Sequence, residues 1–200
     1  MKAIKDKILQ RIKSKKRGWV FCAKDFADLS TRNTIDKNLT RLIDDGFITR
    51  IDWGIYYYPI LQKDIGVIPP NIDDIAKAIA NSLGVSIFPS GALSANILGF
   101  SNQVPAQNIY LTTGRSFKRK IGNNIIHFKH TKINPAPNVS GKVILILNAL
   151  NYLGKNNITD DILKRCSAIL STLDKKSLIK ISNNLSSWMA DIVYKLNAVN

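Results

Sequence analysis

The chain has 200 residues, 45% of them hydrophobic, and carries 29 Lys plus Arg against 14 acids, a formal charge of +15. That apolar content suffices for one large domain or two small ones with their own cores. No run of apolar residues reaches the ~20 that a membrane helix needs, and Met1-Lys-Ala-Ile-Lys-Asp-Lys7 lacks the apolar stretch of a secretion signal, so the expected compartment is the cytoplasm, with no membrane partner.

Residues 2–13 place Ala3, Ile4, Ile8, Leu9 and Ile12 on one stripe and Lys2, Lys5, Arg11 and Lys13 on other faces, which predicts a first helix ending at Ser14-Lys-Lys-Arg17-Gly18. Trp19-Val-Phe21 reads as a short strand and Lys24–Leu29 as a short second helix. Ser30 is the expected N-cap of a third helix running to about Asp45, with Gly46 as its stop. On that helix Ile35, Leu39, Leu42 and Ile43 fall on one side; Asn33, Lys37, Thr40 and Arg41 fall opposite, on a flank expected to carry no carboxylate. Phe47–Ile51 and Ile55–Tyr58 alternate as two strands joined through Asp52-Trp53-Gly54, and Pro59 closes the module.

Ile60–Asn71, with Pro69-Pro70, reads as a linker before a second domain. There the pattern predicts a helix at 72–83, a strand at 85–88, a helix at 92–98 stopped by Gly99, strands at 108–112, 116–121 and 125–130, and, after Pro135-Ala-Pro137, helices at about 141–153, 159–172, 175–184 and 186–197. The fold class expected is α+β: a winged helix-turn-helix at 1–59, a linker at 60–71, and a mixed α/β domain at 72–200 ending in a helical bundle.

A helix followed by a two-stranded wing in a chain this basic points to double-stranded DNA, because Lys and Arg set against phosphates release condensed counterions. In that arrangement the N-terminal residues of the recognition helix meet base edges. Arg32 and Asn33 are the candidates for base contact, since arginine forks onto guanine and asparagine onto adenine; Thr34, Lys37, Thr40 and Arg41 suit phosphate, sugar or groove edges, and Arg50 and Trp53 sit on the wing. The competing reading is a protein-binding module in which Trp53 and Tyr56–Tyr58 pack beneath the helix. A second basic cluster, Arg115, Lys118, Arg119, Lys120, Lys129 and Lys132, contains no acid over a hairpin; it is either a phosphate- or acid-binding surface or a solvated face.

Catalytic readings find little support. All 14 acids are aspartate, so the Glu-x-Lys element of many metal-dependent nucleases has no glutamate to supply it. The pairs Asp44-Asp45, Asp73-Asp74 and Asp160-Asp161 read as helix-end acids. His127 and His130, three apart on a strand, point to opposite faces, and Cys22 and Cys166 lie far apart with no partner at ligand spacing, so both read as core thiols. No catalytic residue, metal, cofactor or small-molecule substrate is expected. An enzyme hidden in the second half, modifying a toxin, is the weakest of the functional readings, because neither Ser90-Gly91 nor Thr113-Gly114 has the neighbours of a nucleophile elbow or phosphate loop.

Trp19-Val-Phe-Cys-Ala-Lys-Asp-Phe26, Asp28-Leu29, Leu39-Thr-Arg-Leu42, Gly46 and Trp53-Gly-Ile-Tyr-Tyr-Tyr-Pro59 resemble the N-terminal winged helix of the AbiEi antitoxin family. Pro89-Ser-Gly-Ala92, Leu98-Gly99, Gln103-Val-Pro105, Tyr110-Leu-Thr-Thr-Gly114, Ile121-Gly-Asn123 and Phe128-Lys-His-Thr131 are similar to the C-terminal domain of a bacterial branch of that family, so the resemblance covers nearly the whole chain. It implies the antitoxin of a type IV toxin–antitoxin pair that represses its own operon by binding inverted repeats and counteracts a nucleotidyltransferase-like toxin, its second partner. Operator binding then maps onto Arg32, Asn33, Thr34, Lys37 and Arg41, and the family's basic C-terminal surface onto Arg115, Lys118, Arg119 and Lys120. Asp52-Trp53 departs from the more basic or Gly-rich wing tip common there, and an acid at the tip opposes a phosphate contact.

Overall fold

Helix α1 (Ile4–Ser14) buries Ile8 and Ile12, the two residues its stripe puts at the centre of one face. The computed structural model describes residues 3–103, 105–131 and 139–198; Lys2, Val104, Lys132 and the 135–137 stretch lie outside the described residues. Arg11 on α1 reaches the chain beyond strand β1 (Val20–Cys22), donating to both carboxylate oxygens of Asp28 at 2.6 and 2.7 Å and to the Asp25 carbonyl at 2.7 Å. The short second helix expected at Lys24–Leu29 is a single 3-10 turn, Ala23–Phe26. The Asp25 carboxylate accepts the Cys22 amide at 2.8 Å, which favours the tight turn.

Helix α2 (Arg32–Asp44) starts from Thr31 rather than Ser30. Thr31 supplies no side-chain cap; its hydroxyl lies 3.0 Å from that of Thr34 instead. Gly46, at φ +67, turns the chain out of the helix. Strands β2 (Thr49–Asp52) and β3 (Ile55–Tyr57) follow and join β1 in an antiparallel sheet of order β1-β3-β2. Phe21 pairs with Tyr56 across β1 and β3, and one sheet face packs Phe21, Tyr56 and Tyr58 against Ile8, Ile12, Phe26, Ile35, Leu39 and Leu42.

Period-two alternation turns Val20, Cys22, Ile55 and Tyr57 the other way. Helix α3 (Ile72–Leu83) packs against β1 and β3, burying Ile75, Ala76, Ala78, Ile79 and Ala80. Its Asn81 amide donates to the Asp25 carboxylate at 3.0 Å. Between β3 and α3, where connecting chain was expected, β4 (Ile60–Gln62) and β5 (Gly66–Ile68) form a hairpin with Leu61 opposite Val67. The Tyr57 hydroxyl donates to the Ile68 carbonyl at 2.8 Å and accepts the Ile60 amide at 3.4 Å.

The chain divides into two compact units, one of Met1–Ile87 with Arg119–Ile126 and the other of Phe88–Lys118 with His127–Asn200. A mixed α+β content runs through the whole, and α3 groups with the first unit because its apolar face covers the open side of the small sheet.

Strands β6 (Ile87–Pro89), β7 (Asn108–Thr112), β8 (Phe117–Ile121) and β9 (Asn124–His130) form a sheet of order β6-β7-β9-β8. In the second unit α4 (Gly91–Ile97) lies so close to α5 (Gly141–Leu153) that a Cβ on Gly91 would sit 2.7 Å from Tyr152 Cβ and 2.9 Å from the Asn148 carbonyl oxygen. Helices α6 (Asp160–Ile169), α7 (Thr172–Ser182) and α8 (Ser187–Ala198) enclose Leu163, Cys166, Leu178, Met189, Val193 and Leu196 with Val143, Ile146 and Leu150 of α5. Thr159 and Ser171 cap α6 and α7, and Asp174 accepts from the hydroxyls of both Ser140 and Ser171, joining the starts of α5 and α7. Both cysteines are buried and free; burial raises the Cys22 thiol and pushes that of Cys166 up to about 12. Among the described residues, no helix is long and apolar enough to cross a membrane.

Candidate nucleic-acid interface

Helix α2 turns Ile35, Leu39 and Leu42 into the core, with Ile43 half-buried. Asn38 joins this inner side, buried and donating to the Thr34 carbonyl at 2.8 Å, a contact that sequence reasoning missed. Arg32, Asn33, Lys37, Thr40 and Arg41 are exposed, and Thr34 is half-buried. The 3.6-residue period accounts for most of this placement: Asn33, Lys37, Thr40 and Arg41 share the side opposite Ile35, Leu39 and Leu42, whereas Arg32 is exposed at the helix start.

That flank is not free of carboxylates. Asp36 lies next to it, taking Arg32 Nε at 2.9 and 2.8 Å on its two oxygens, while its backbone carbonyl accepts the Thr40 hydroxyl at 3.0 Å. An i,i+4 spacing brings a guanidinium and a carboxylate together on any helix, so the pairing is legible from positions 32 and 36 alone. It occupies part of the Arg32 fork and sets the direction of its plane.

In the β2-β3 hairpin, the strand β2 bulges between Arg50 and Asp52. The turn residues Trp53 and Gly54 follow, with Gly54 at φ +71, a conformation that glycine adopts without a Cβ penalty. Trp53 is 82% exposed, whereas Tyr56, Tyr57 and Tyr58 are buried. Packing beneath the helix therefore describes Tyr56 and Tyr58, while Tyr57 faces the other side of the sheet and Trp53 projects into solvent. The Arg50 guanidinium stacks on the indole, 5.0 Å from the ring centre. Trp53 and Gly54 share a cleft of about 170 Å³ with Ala23, Lys24, Ser82 and Arg32, so the start of α2 and the β2-β3 turn border one depression.

In the second cluster Arg115, Lys118, Lys120 and Lys129 are exposed. Arg119 departs from the group. Alternation along β8 turns it with Phe117 and Ile121 to the other face, and its Nε lies 3.2 Å from an Asp52 carboxylate oxygen without the alignment of a hydrogen bond. The Asp52 side chain is only 20% exposed. Arg119 thus neutralises the acid at the end of β2 instead of adding to an outer basic surface.

His130 Nδ1 lies 2.8 Å from the Gly114 carbonyl, His127 is half-buried, and Phe117 stacks on Phe128 with ring centres 4.3 Å apart. Of the adjacent acids, Asp45 binds Lys5 at 2.6 Å, Asp73 pairs with Lys77, and Asp160 and Asp161 occupy the first turn of α6. Among the described residues, no three His, Cys or acidic side chains cluster as metal ligands do. A wider groove of about 700 Å³, lined by Trp19, Tyr57, Pro70, Asn71, Lys77 and Asn81 among others, was not foreseen. Two of the cations bordering it are engaged: Arg17 donates to the Pro59 carbonyl at 2.7 Å and stacks on Tyr58, and Lys77 pairs with Asp73.

The model of DUF6088, a family of unknown function, matches residues 7–178, and the chain belongs to that family. No curated protein matches it.

Proposed function

We propose that this member of DUF6088 is a DNA-binding regulator whose first unit acts as a winged helix, with α2 as the helix that enters the major groove and β2-β3 as its wing. One observation carries the reading: Asn33, Lys37, Thr40 and Arg41 are exposed along a flank of α2 whose opposite side, Ile35, Leu39 and Leu42, is buried in the core. An anchored helix with a polar, cation-bearing outer side suits a groove ~12 Å wide, and the formal charge of +15 draws the protein to phosphate. Asn33 is the candidate for adenine and Arg32 for guanine, while Lys37 and Arg41 meet the backbone.

The resemblance to AbiEi antitoxins extends the proposal. The protein then represses its own operon through inverted repeats and counteracts a nucleotidyltransferase-like toxin, with Arg115, Lys118, Lys120 and Lys129 as a second basic surface. This is a binding role, and no reaction is assigned to it.

A mobility-shift titration tests the reading, using the intergenic duplex upstream of the gene against an unrelated duplex at several salt concentrations. Preference for the upstream duplex, with affinity falling steeply as salt rises, is expected. Equal affinity for both duplexes rejects sequence-specific regulation.

A second reading, a module that neutralises a partner protein by contact, is favoured by the exposed apolar side chains Leu61, Ile65 and Val67 on the β4-β5 hairpin. Co-purification of the neighbouring gene product without any DNA affinity favours this second reading.

A further inference from the structure

The wing tip combines three features. An indole stands almost fully in solvent at a two-residue turn, a guanidinium stacks on it, and the adjoining acid is drawn away by an arginine. A solvated tryptophan incurs the cost of its exposed ring surface, ~25 cal/mol per Å², and Trp53 stands outside the apolar core that holds Phe21, Tyr56 and Tyr58. The local charge is what selects a partner. With Asp52 set against Arg119, Arg50 remains beside the indole without an opposing carboxylate, so the tip is an apolar plate edged with positive charge.

We infer that Trp53 is a wedge for duplex DNA: its indole enters the minor groove beside the site of α2 and partly unstacks one base step, while Arg50 lies along the groove wall. This rests on the DNA-binding reading and adds to it a deformation of the duplex. The chemistry fits such a target. Apolar side chains inserted between base steps kink DNA, and the narrow minor groove of A·T-rich sequence concentrates negative potential that favours an arginine. Stacking keeps the Arg50 cation and the indole together as they leave water.

The bulge between Arg50 and Asp52 is part of the device. Without it, residues 50 and 52 would project to the same face of the strand and the acid would stand beside the guanidinium. With it, the carboxylate meets Arg119 on β8, in the segment Arg119–Ile126 that groups with the first unit. Arg119 is thereby assigned a positioning role for the wing.

The test uses the full chain and the upstream duplex in a circular-permutation mobility assay, which reads bending and affinity together. The parent is expected to bend the duplex. Trp53→Ala is expected to lose most of the bend and about tenfold or more in affinity; Trp53→Phe, which keeps an aromatic plate, is expected to retain most of both. Arg41→Ala should weaken binding while leaving the bend unchanged. Trp53 lies outside the core, so its replacement removes no core contact, and far-UV circular dichroism of each variant checks the fold directly. A Trp53→Ala protein that binds and bends like the parent overturns the wedge and leaves the regulator standing. A parent that binds neither duplex overturns both.

Discussion

Arg32 and Asp36, one turn apart on α2, form an ion pair in which Nε lies between the two carboxylate oxygens, at 2.9 and 2.8 Å. The pair is exposed and stabilises the helix by only ~0.3–0.5 kcal/mol. Its larger effect is on charge, since it places an anion beside a surface proposed to meet phosphates. Asp36→Asn is expected to leave the thermal midpoint within about 2 °C and to raise affinity for duplex DNA several-fold at low salt, as measured by mobility shift. Unchanged or weaker binding would show that Asp36 holds Arg32 in a productive orientation.

Lys37 and Arg41 are expected to act through phosphate and not through sequence. Replacing either with alanine should weaken binding to specific and unrelated duplexes alike and reduce the slope of log affinity against log salt by about 1. Asn33→Ala should instead relax discrimination at one position by roughly 1–3 kcal/mol. A Lys37 variant that changes sequence preference would move the base-reading residues further along the helix.

Acid should loosen two internal ties. The hydrogen bond from Arg11 holds the Asp28 carboxyl at about 2, and the hydroxyl of Ser140 followed by the groups of Ser171 lowers that of Asp174. For a depressed carboxylate, the stabilisation is complete above the ordinary value of ~4 and is lost as pH falls through the folded-state value. The expected result is that Asp28→Asn melts below the parent at neutral pH and that the gap closes between about pH 4 and pH 2. A gap independent of pH would mean that the charge of Asp28 contributes nothing.

Two glycines near helix starts should respond in opposite directions to the same methyl group. Gly91→Ala drives a Cβ to within 2.7 Å of Tyr152 Cβ and 2.9 Å of a backbone oxygen, and is expected to cost ~1–3 kcal/mol by overpacking. Gly141→Ala meets nothing within 4 Å and should stabilise by up to ~1 kcal/mol, because the unfolded chain loses freedom. Urea titration of both variants checks the pair. An unperturbed Gly91→Ala protein would show that α4 shifts off α5 without penalty.

The long amphipathic elements were legible in the sequence because period determines them: α1 with Ile8 and Ile12, α2 with Ile35, Leu39 and Leu42, α3 with Ile75, Ala76 and Ile79, and α6 with Leu163 and Cys166. The same arithmetic, applied to position 119 between Lys118 and Lys120, separates Arg119 from its neighbours, and the spacing from Arg32 to Asp36 announces their bond. Composition had grouped residues that geometry divides. The β4-β5 hairpin was harder to foresee, since its strands have three residues each and Leu61 and Val67 face solvent, leaving no alternation of apolar inward and polar outward. The position of Trp53 at a hairpin turn is legible from the two flanking strands, but its exposure is not, because an indole is as suited to a core as to a tip.

The phenol of Tyr57 bonds to the chain at both ends of the β4-β5 hairpin, the Ile60 amide and the Ile68 carbonyl. One oxygen atom therefore clasps a loop whose residues 61–67 are exposed, and that loop is expected to open locally while β3 stays paired. In deuterated solvent the backbone protons of 61–67 should exchange through such local opening, well ahead of those in the β1-β3 ladder. Removing the hydroxyl with Tyr57→Phe should hasten exchange in the loop alone.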